Sequence, residues 1–221
     1  MIAKVALIVE KDLRTELRAK DILTAMAYFA LLVLIVFNFA IDLREVSVEA
    51  VAPGILWVSF AFAGVLGLNR TFVREQERNA IEGLMLCPID RSAIYLGKLV
   101  GNVVFMLVVE AITVPLFIIL FNVPSVGLGL LPALALGTVG FAALGTLFAA
   151  LAVNTRTREV MLPVLLFPLI VPIIIAAVKA TGFAFGTLAP DLAVPWLNLM
   201  LVFDIIFIVV SYLVFEYVLE E

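Results

Sequence analysis

Two acidic residues, Glu110 and Asp204, lie inside long apolar stretches of the sequence. A carboxylate in hydrocarbon is expensive, so an acid at such a position marks a functional site by default, and pairing or protonation is expected of it. A structural alternative remains open, because either acid can instead bond to a hydroxyl or a main-chain group where two helices meet. Both residues are therefore candidate intramembrane polar sites.

The residues of common metal and cofactor chemistry are scarce. The 221-residue chain has no histidine and one cysteine, Cys87, which excludes an intrachain disulfide, a Cys-based zinc cluster and histidine ligation of heme. Cys87-Pro88 is similar to the Cys-Pro heme-regulatory motif, but a helix end explains this proline. We interpret four methionines in apolar stretches as packing residues, namely Met26, Met106, Met161 and Met200. We expect no cofactor or metal bound firmly by this chain.

A phosphate-binding loop is also missing. Gly97-Lys98 is preceded at the required spacing by Ser92 instead of glycine and is followed by Leu99, so it does not match G-x-x-x-x-G-K-[ST]. The chain is not predicted to be an enzyme, and any ATP-driven activity needs a separate subunit. We expect no nucleic-acid partner.

Residues 70–98 form the longest polar stretch, with five basic and four acidic residues. Inside it, Ile81, Leu84 and Met85 share one face of a predicted helix, beside a ladder of charged residues. This combination suits a helix that docks on a partner protein; an interfacial loop on lipid head groups is the alternative. The helix is expected to end at Pro88, and Ser92 can cap the next one. The candidate coupling residues are Arg74, Arg78, Ile81, Glu82, Leu84, Met85 and Pro88.

Composition places this stretch in an integral membrane protein. The chain is 65% hydrophobic and 14% charged, whereas a soluble domain is about 45–50% apolar and about 25% charged. Apolar runs of about 20 residues match a hydrocarbon core about 30 Å thick. We predict an all-α membrane protein with one transmembrane domain over residues 1–221. Its six spans are expected at about 22–41, 51–68, 96–121, 128–153, 160–178 and 197–218.

Residues 1–20 precede the first span and are predicted to form an amphipathic helix. Apolar residues recur there at spacings of three and four, while the basic residues project elsewhere. Such a helix is expected to lie in the membrane interface; a helix that simply faces solvent is the alternative. The apolar positions are Ile2, Ala6, Val9, Leu13 and Leu17.

Special residues within the spans predict their packing. Trp57 is expected at the membrane interface, where an indole is favoured. Small residues permit close approach of helices, at Gly97, Gly101, Gly137, Gly140, Gly145 and Ala149. Pro163, Pro168 and Pro172 predict a kinked or broken fifth span, followed by a connection over residues 179–196.

The basic residues predict the orientation. Twelve lie in residues 1–20, 70–98 and 154–159, against only Arg44 and Lys179 on the opposite face. The positive-inside rule makes the side with twelve cytoplasmic. Because six spans return the chain to its starting side, both termini and the 70–98 stretch are expected in the cytoplasm.

Several motifs resemble a known family. The arrangement E-x-L-x-x-x-P at residues 82–88, followed by L-x-K at 96–98, resembles the coupling helix of ABC-2-type exporter permeases. More pieces in the same order resemble the heme exporter protein B (CcmB) family: DLRTELR at 12–18, APGILW at 52–57, EGLMLCP at 82–88, LGTVG at 136–140, AALAV at 149–153 and LPVLLFPLIVP at 162–172. The chain departs from the family at Arg78-Asn79, where Asp-Gly is frequent, and at Cys87, where Ser is usual.

This resemblance implies an ABC-2-type permease subunit for heme handling or export in cytochrome c maturation, in a bacterial or organellar inner membrane. It implies an ABC ATPase that docks at residues 70–98 and binds the ATP, a heme-handling membrane partner, a homodimer and heme as a substrate of the complex. Two alternatives remain. One is an ABC-2 exporter of another solute or lipid, and the other is a proton-coupled carrier that uses Glu110 or Asp204.

Overall fold

The computed structural model describes residues 1–41, 47–77, 90–123, 126–153, 158–186 and 189–218. Within these ranges the chain forms seven helices and no strand. The helices are α1 (Ile2–Ala19), α2 (Asp21–Ala40), α3 (Val48–Glu77), α4 (Arg91–Phe121), α5 (Leu130–Val153), α6 (Arg158–Ala184) and α7 (Pro190–Val218). All except α1 are long and apolar enough to cross a membrane. The prediction of an all-α protein with six spans is confirmed.

Two of the spanning helices, α3 and α5, form the centre of the bundle. Their apolar windows are 72% and 67% buried, whereas that of α7 is 17% buried. Helix α5 packs against α6 and α7, and α3 packs against α2, α5 and α6. Helices α2, α4, α6 and α7 therefore present broad apolar faces to the outside, as expected of segments surrounded by lipid.

Glycines allow α5 to approach its neighbours, as the sequence predicted. A Cβ atom on Gly145 would collide with Leu68 of α3, and one on Gly137 would collide with the Trp57 ring. The indole of Trp57 is 2% exposed and donates a hydrogen bond of 2.9 Å to the hydroxyl of Thr181 on α6. Trp57 therefore belongs to the core, where it joins three helices, and its depth in the membrane stays a prediction.

Two predicted boundaries are wrong. Helix α6 runs to Ala184 through all three of its prolines, and α7 begins at Pro190. The fifth span is therefore not broken, and a kink at its prolines stays a prediction. The connection predicted over residues 179–196 is therefore mostly helical. Prolines are tolerated in such helices because neighbouring groups can hydrogen-bond to the backbone carbonyls that a proline leaves without a donor.

The ends of the polar stretch are helical as well. Helix α3 continues to Glu77, and α4 begins at Arg91 with Asp90 as its N-cap residue instead of Ser92. Residues 78–89 lie outside the described ranges. The 70–98 stretch thus begins as the last turns of α3 and ends as the first turns of α4.

The contact between Gly137 and Trp57 predicts a position-specific effect of alanine. Gly137→Ala should lower the melting temperature of the detergent-solubilised protein, because an overpacked core costs about 1–3 kcal/mol. Gly54→Ala is the matched control, since a Cβ atom at Gly54 meets nothing within 4 Å and alanine favours a helix. Equal melting temperatures for the two variants would contradict the packing described here.

Candidate functional site

The predicted coupling residues belong to the segment between α3 and α4. Arg78, Glu82 and the apolar stripe of Ile81, Leu84 and Met85 lie outside the described residues, as does Pro88. Arg74 lies near the end of α3. Their roles stay predictions. The structure describes how the two helices that carry this segment are held.

Helix α1 packs along the beginning of α4. Ile8 is 3% exposed and lies against Gly97, where an added Cβ atom would be 2.7 Å from its Cγ2. One turn further along α1, Asp12 accepts from the ammonium group of Lys98, with 2.8 Å between Nζ and Oδ2. Its other oxygen, Oδ1, is 3.2 Å from the ammonium nitrogen of Lys11. The side chain of Lys98 is 1% exposed, so α1 and α4 are joined by a largely buried ion pair.

Glu16 joins α1 to α2. Its side chain is buried, and Oε1 accepts from the backbone N–H groups of Ile22 at 2.7 Å and Leu23 at 3.0 Å. These amides lie in the first turn of α2 and have no partner within that helix, so a carboxylate there acts as a cap. Lys20 forms the turn between the helices in a left-handed conformation, with φ of 58°. Helix α1 is thereby attached to the first turn of α2 as well as to α4.

A second polar contact joins α3, α4 and α5. The hydroxyl of Thr71 donates to Asn102 Oδ1 at 2.9 Å, and Asn102 Nδ2 donates to the hydroxyl of Thr146 at 2.9 Å. All three side chains are buried. Asn102 lies one helical turn beyond Lys98, so both helices that carry the 78–89 segment are held by buried hydrogen bonds. A force that displaces the 78–89 segment would therefore act on α1, α3, α4 and α5 together, because these contacts join them.

Glu110 lies further along α4. It is 2% exposed, and its Oε1 accepts from the Thr138 hydroxyl at 2.5 Å, as the structural alternative for this residue predicted. Its Oε2 has no hydrogen-bond partner among the described residues. The space beside it is too small to admit a water molecule, and it is lined by Met26, Phe60, Ala63, Met106 and Val109. Glu110 therefore lies in tight apolar packing with one hydrogen bond.

Asp204 lies on the other side of α5. It is 5% exposed, and neither carboxyl oxygen has a hydrogen-bond partner within the described ranges. A Cβ atom on Gly140 would collide with Oδ1, so the missing side chain makes room for the carboxyl group. Gly140 is two residues from Thr138, the partner of Glu110, which separates them by about 3 Å along the helix axis. The two acids thus flank α5 at similar depth, and the structure does not bring them into contact.

Comparison with known proteins gives this arrangement a family. A family model described as CcmB protein matches residues 3–220. The chain belongs to the CcmB family. Among curated proteins, heme exporter protein B of Rhodobacter capsulatus is 30% identical over 169 residues, covering 76% of this chain and 78% of the relative. Heme exporter protein B of Escherichia coli K12 is 29% identical over 176 residues, covering 78% and 79%.

The attachment of α1 in this CcmB-family chain was not predicted from the sequence. In the prediction, Lys98 was part of the L-x-K motif at the start of the third span, and α1 was an apolar stripe with basic residues around it. The available signal was Ile8, Asp12 and Glu16, which recur every four residues and so share one face. Two acids on the face of a buried isoleucine predict partners in the protein, not solvent.

The Asp12–Lys98 pair predicts unequal effects of its two halves. Asp12→Ala should destabilise the protein by about 3–5 kcal/mol, because a buried ammonium loses its carboxylate. Lys98→Met should cost less, since it keeps an unbranched chain of similar length and leaves Asp12 beside Lys11. Melting temperatures in detergent check this order. The double variant should recover part of the loss of Asp12→Ala, and a double variant less stable than Asp12→Ala would argue against the pair.

The unpaired carboxyl group of Asp204 predicts that its replacement lowers activity without lowering stability. Asp204→Asn keeps the shape of the side chain and removes its charge, so the melting temperature should stay equal or rise. A natural sequence retains such an unsatisfied acid where function requires it, and we expect assembly of c-type cytochromes to fall in cells that depend on the variant. Normal assembly with Asp204→Asn would show that the acid only fills space.

Proposed function

We propose that this protein is the membrane permease subunit of an ABC-type complex that handles or exports heme for cytochrome c maturation. The observation that carries this proposal is the family match over residues 3–220, with relatives named heme exporter protein B. The six apolar helices supply the membrane domain that such a subunit needs. ATP binding and hydrolysis belong to a separate ABC ATPase.

The geometry supports a mechanical role for the segment between α3 and α4. In the proposed mechanism, the ATPase contacts the apolar stripe of Ile81, Leu84 and Met85 and displaces it when ATP closes the ATPase dimer. The displacement moves α3 and α4 directly, because the segment connects these two helices. The contacts from Lys98 to Asp12 and from Asn102 to Thr71 and Thr146 carry it to α1 and α5, and the second and third spans tilt together.

The orientation follows from the distribution of charge. With twelve basic residues on one side and two on the other, the coupling segment and both termini face the cytoplasm by the positive-inside rule. The proposed location is therefore an inner, cytoplasmic membrane. The proposed partners are the ATPase, a heme-handling membrane protein and a second copy of this chain.

Heme enters this proposal as a substrate of the complex and not as a resident group. The chain has no histidine, and two of its intramembrane methionines, Met26 and Met106, are buried in the packing around Glu110. Met200 is fully buried as well. Such methionines serve packing. Ligation of heme iron is therefore assigned to the partner, and this chain supplies the moving part.

The coupling role predicts that Leu84→Asp abolishes copurification with the ATPase, because a charge on the apolar stripe cannot enter a partner's groove. Leu86→Asp is the matched control: in a helix it lies about 200° away from Leu84 and off the stripe. The measurement is the amount of ATPase retained by the tagged permease from solubilised membranes. Both variants should insert into the membrane at the level of the natural protein.

Unchanged retention of the ATPase by Leu84→Asp would overturn the coupling role. An equal loss of retained ATPase in Leu84→Asp and Leu86→Asp would show that ATPase binding does not depend on one face of the segment. Two results together would instead favour export of another solute. The permease would bind the ATPase normally, and cells that lack the permease would still contain normal c-type cytochromes.

A further inference from the structure

The outward side of α1 combines exposed arginines with exposed leucines. Leu7 and Leu17 are 66% and 65% exposed, and the side chain of Arg14 is 76% exposed. Arg18 is exposed as well. At about 100° per residue, these four residues lie within one arc of about 100° around the helix. This arc, here called the α1 outer face, is opposite the side of α1 that binds α2 and α4.

The α1 outer face lies close to the first spanning helix. Lys20 alone separates α1 from α2, and α2 is long and apolar enough to cross a membrane from Asp21 onward. Arg18 is three residues and Arg14 seven residues before Asp21, and seven residues of helix are about 10 Å long. The contacts of α1 with α2 and α4 also fix the direction of the outer face. Both arginines are therefore held near the point where the chain enters the membrane.

Neither bulk water nor hydrocarbon suits the α1 outer face. Burial of a leucine side chain away from water is favourable, whereas an arginine in hydrocarbon is costly. Helices that carry leucine and arginine side by side are typical of the boundary between lipid head groups and acyl chains. At that boundary the leucine contacts acyl chains, while the long arginine side chain extends its guanidinium group to the head groups. The face therefore suits a ligand with an apolar part and a polar part.

The charges of this region favour an anionic ligand. Among the exposed charged side chains of residues 10–21, four are basic and two are acidic. Glu10 forms an ion pair with Arg14, but such an exposed pair contributes little, so a phosphate can compete with it. Arg14 and Arg18 are four residues apart, and side chains at this spacing are neighbours on a helix. Two guanidinium groups so placed can bind the oxygens of one phosphate.

We propose that the α1 outer face is a binding site for an anionic phospholipid, with its phosphate at Arg14 and Arg18 and an acyl chain along Leu17. A position of α1 at the membrane surface does not by itself select any lipid. The excess of basic side chains does, because it favours an anionic head group over a zwitterionic one, whose ammonium group the arginines repel. This inference goes beyond the proposed function, since it depends on neither heme nor the ATPase.

Lipid titration of the purified full-length protein in detergent tests the site. The probes are phosphatidylglycerol and phosphatidylcholine, and the measurement is the melting temperature, which rises when a ligand binds the folded protein. Arg18→Gln should weaken the binding of phosphatidylglycerol about fivefold, and the double variant Arg14→Gln/Arg18→Gln about thirtyfold, because each basic residue near an anionic surface contributes a factor of about five. Lys179→Gln is the matched control. It removes one exposed basic side chain from the last turns of α6 and should leave this affinity unchanged.

Three results would overturn the proposal. Equal stabilisation by the two lipids would show that the face does not select an anionic head group. An unchanged affinity of the double variant for phosphatidylglycerol would place the bound lipid elsewhere on the chain. If inorganic phosphate reproduced the full effect of phosphatidylglycerol, the site would bind a free anion and not a lipid. Both arginines are exposed, so the variants without added lipid should melt at the temperature of the natural protein, which separates lost binding from a lost fold.

Discussion

The ion pair between Lys98 and Asp12 joins a helix outside the spanning bundle to the first turns of a spanning helix. Burying both charges is costly, and their attraction compensates only with good geometry. The geometry is good here, because Asp12 also has Lys11 within 3.2 Å. The neighbouring contact of Ile8 with Gly97 acts in the same sense, because Ile8 fits only where residue 97 lacks a Cβ atom. The ion pair therefore specifies the register of α1 on α4, and the cap from Glu16 extends that register to α2.

Close packing in the centre of the bundle depends on small residues. In a bilayer the apolar side chains gain little from leaving lipid, so helices associate through van der Waals contact and interhelical hydrogen bonds. Gly137 and Gly145 bring α5 against α3, and Gly140 brings it against α6 and α7. The hydrogen bond from Trp57 to Thr181 then ties α3 to α6. Helix α5 is the common neighbour through which the spans are assembled.

The sequence was sufficient for the number of spans, the N-terminal helix and the family, because length, hydropathy and motif order carry that information. It was misleading at residues 179–196, where Gly and Pro were interpreted as a connection although tertiary packing keeps most of them helical. It did not identify Asp12 as the partner of Lys98, since their sequence separation is 86 residues. Pairings of that kind depend on how α1 folds back, which local periodicity does not encode.

The polar groups of the described bundle are distributed unevenly along its axis. Near the 78–89 segment they are paired, as in the contacts of Lys98, Asn102 and Glu16. At the depth of Thr138 and Gly140 the acids are poorly satisfied, with one free oxygen on Glu110 and two on Asp204. Paired groups resist separation, whereas unsatisfied groups in apolar packing gain from any rearrangement that brings a partner. In the proposed mechanism, the helices are therefore held as one unit next to the coupling segment, and the unsatisfied acids favour a rearrangement further into the membrane.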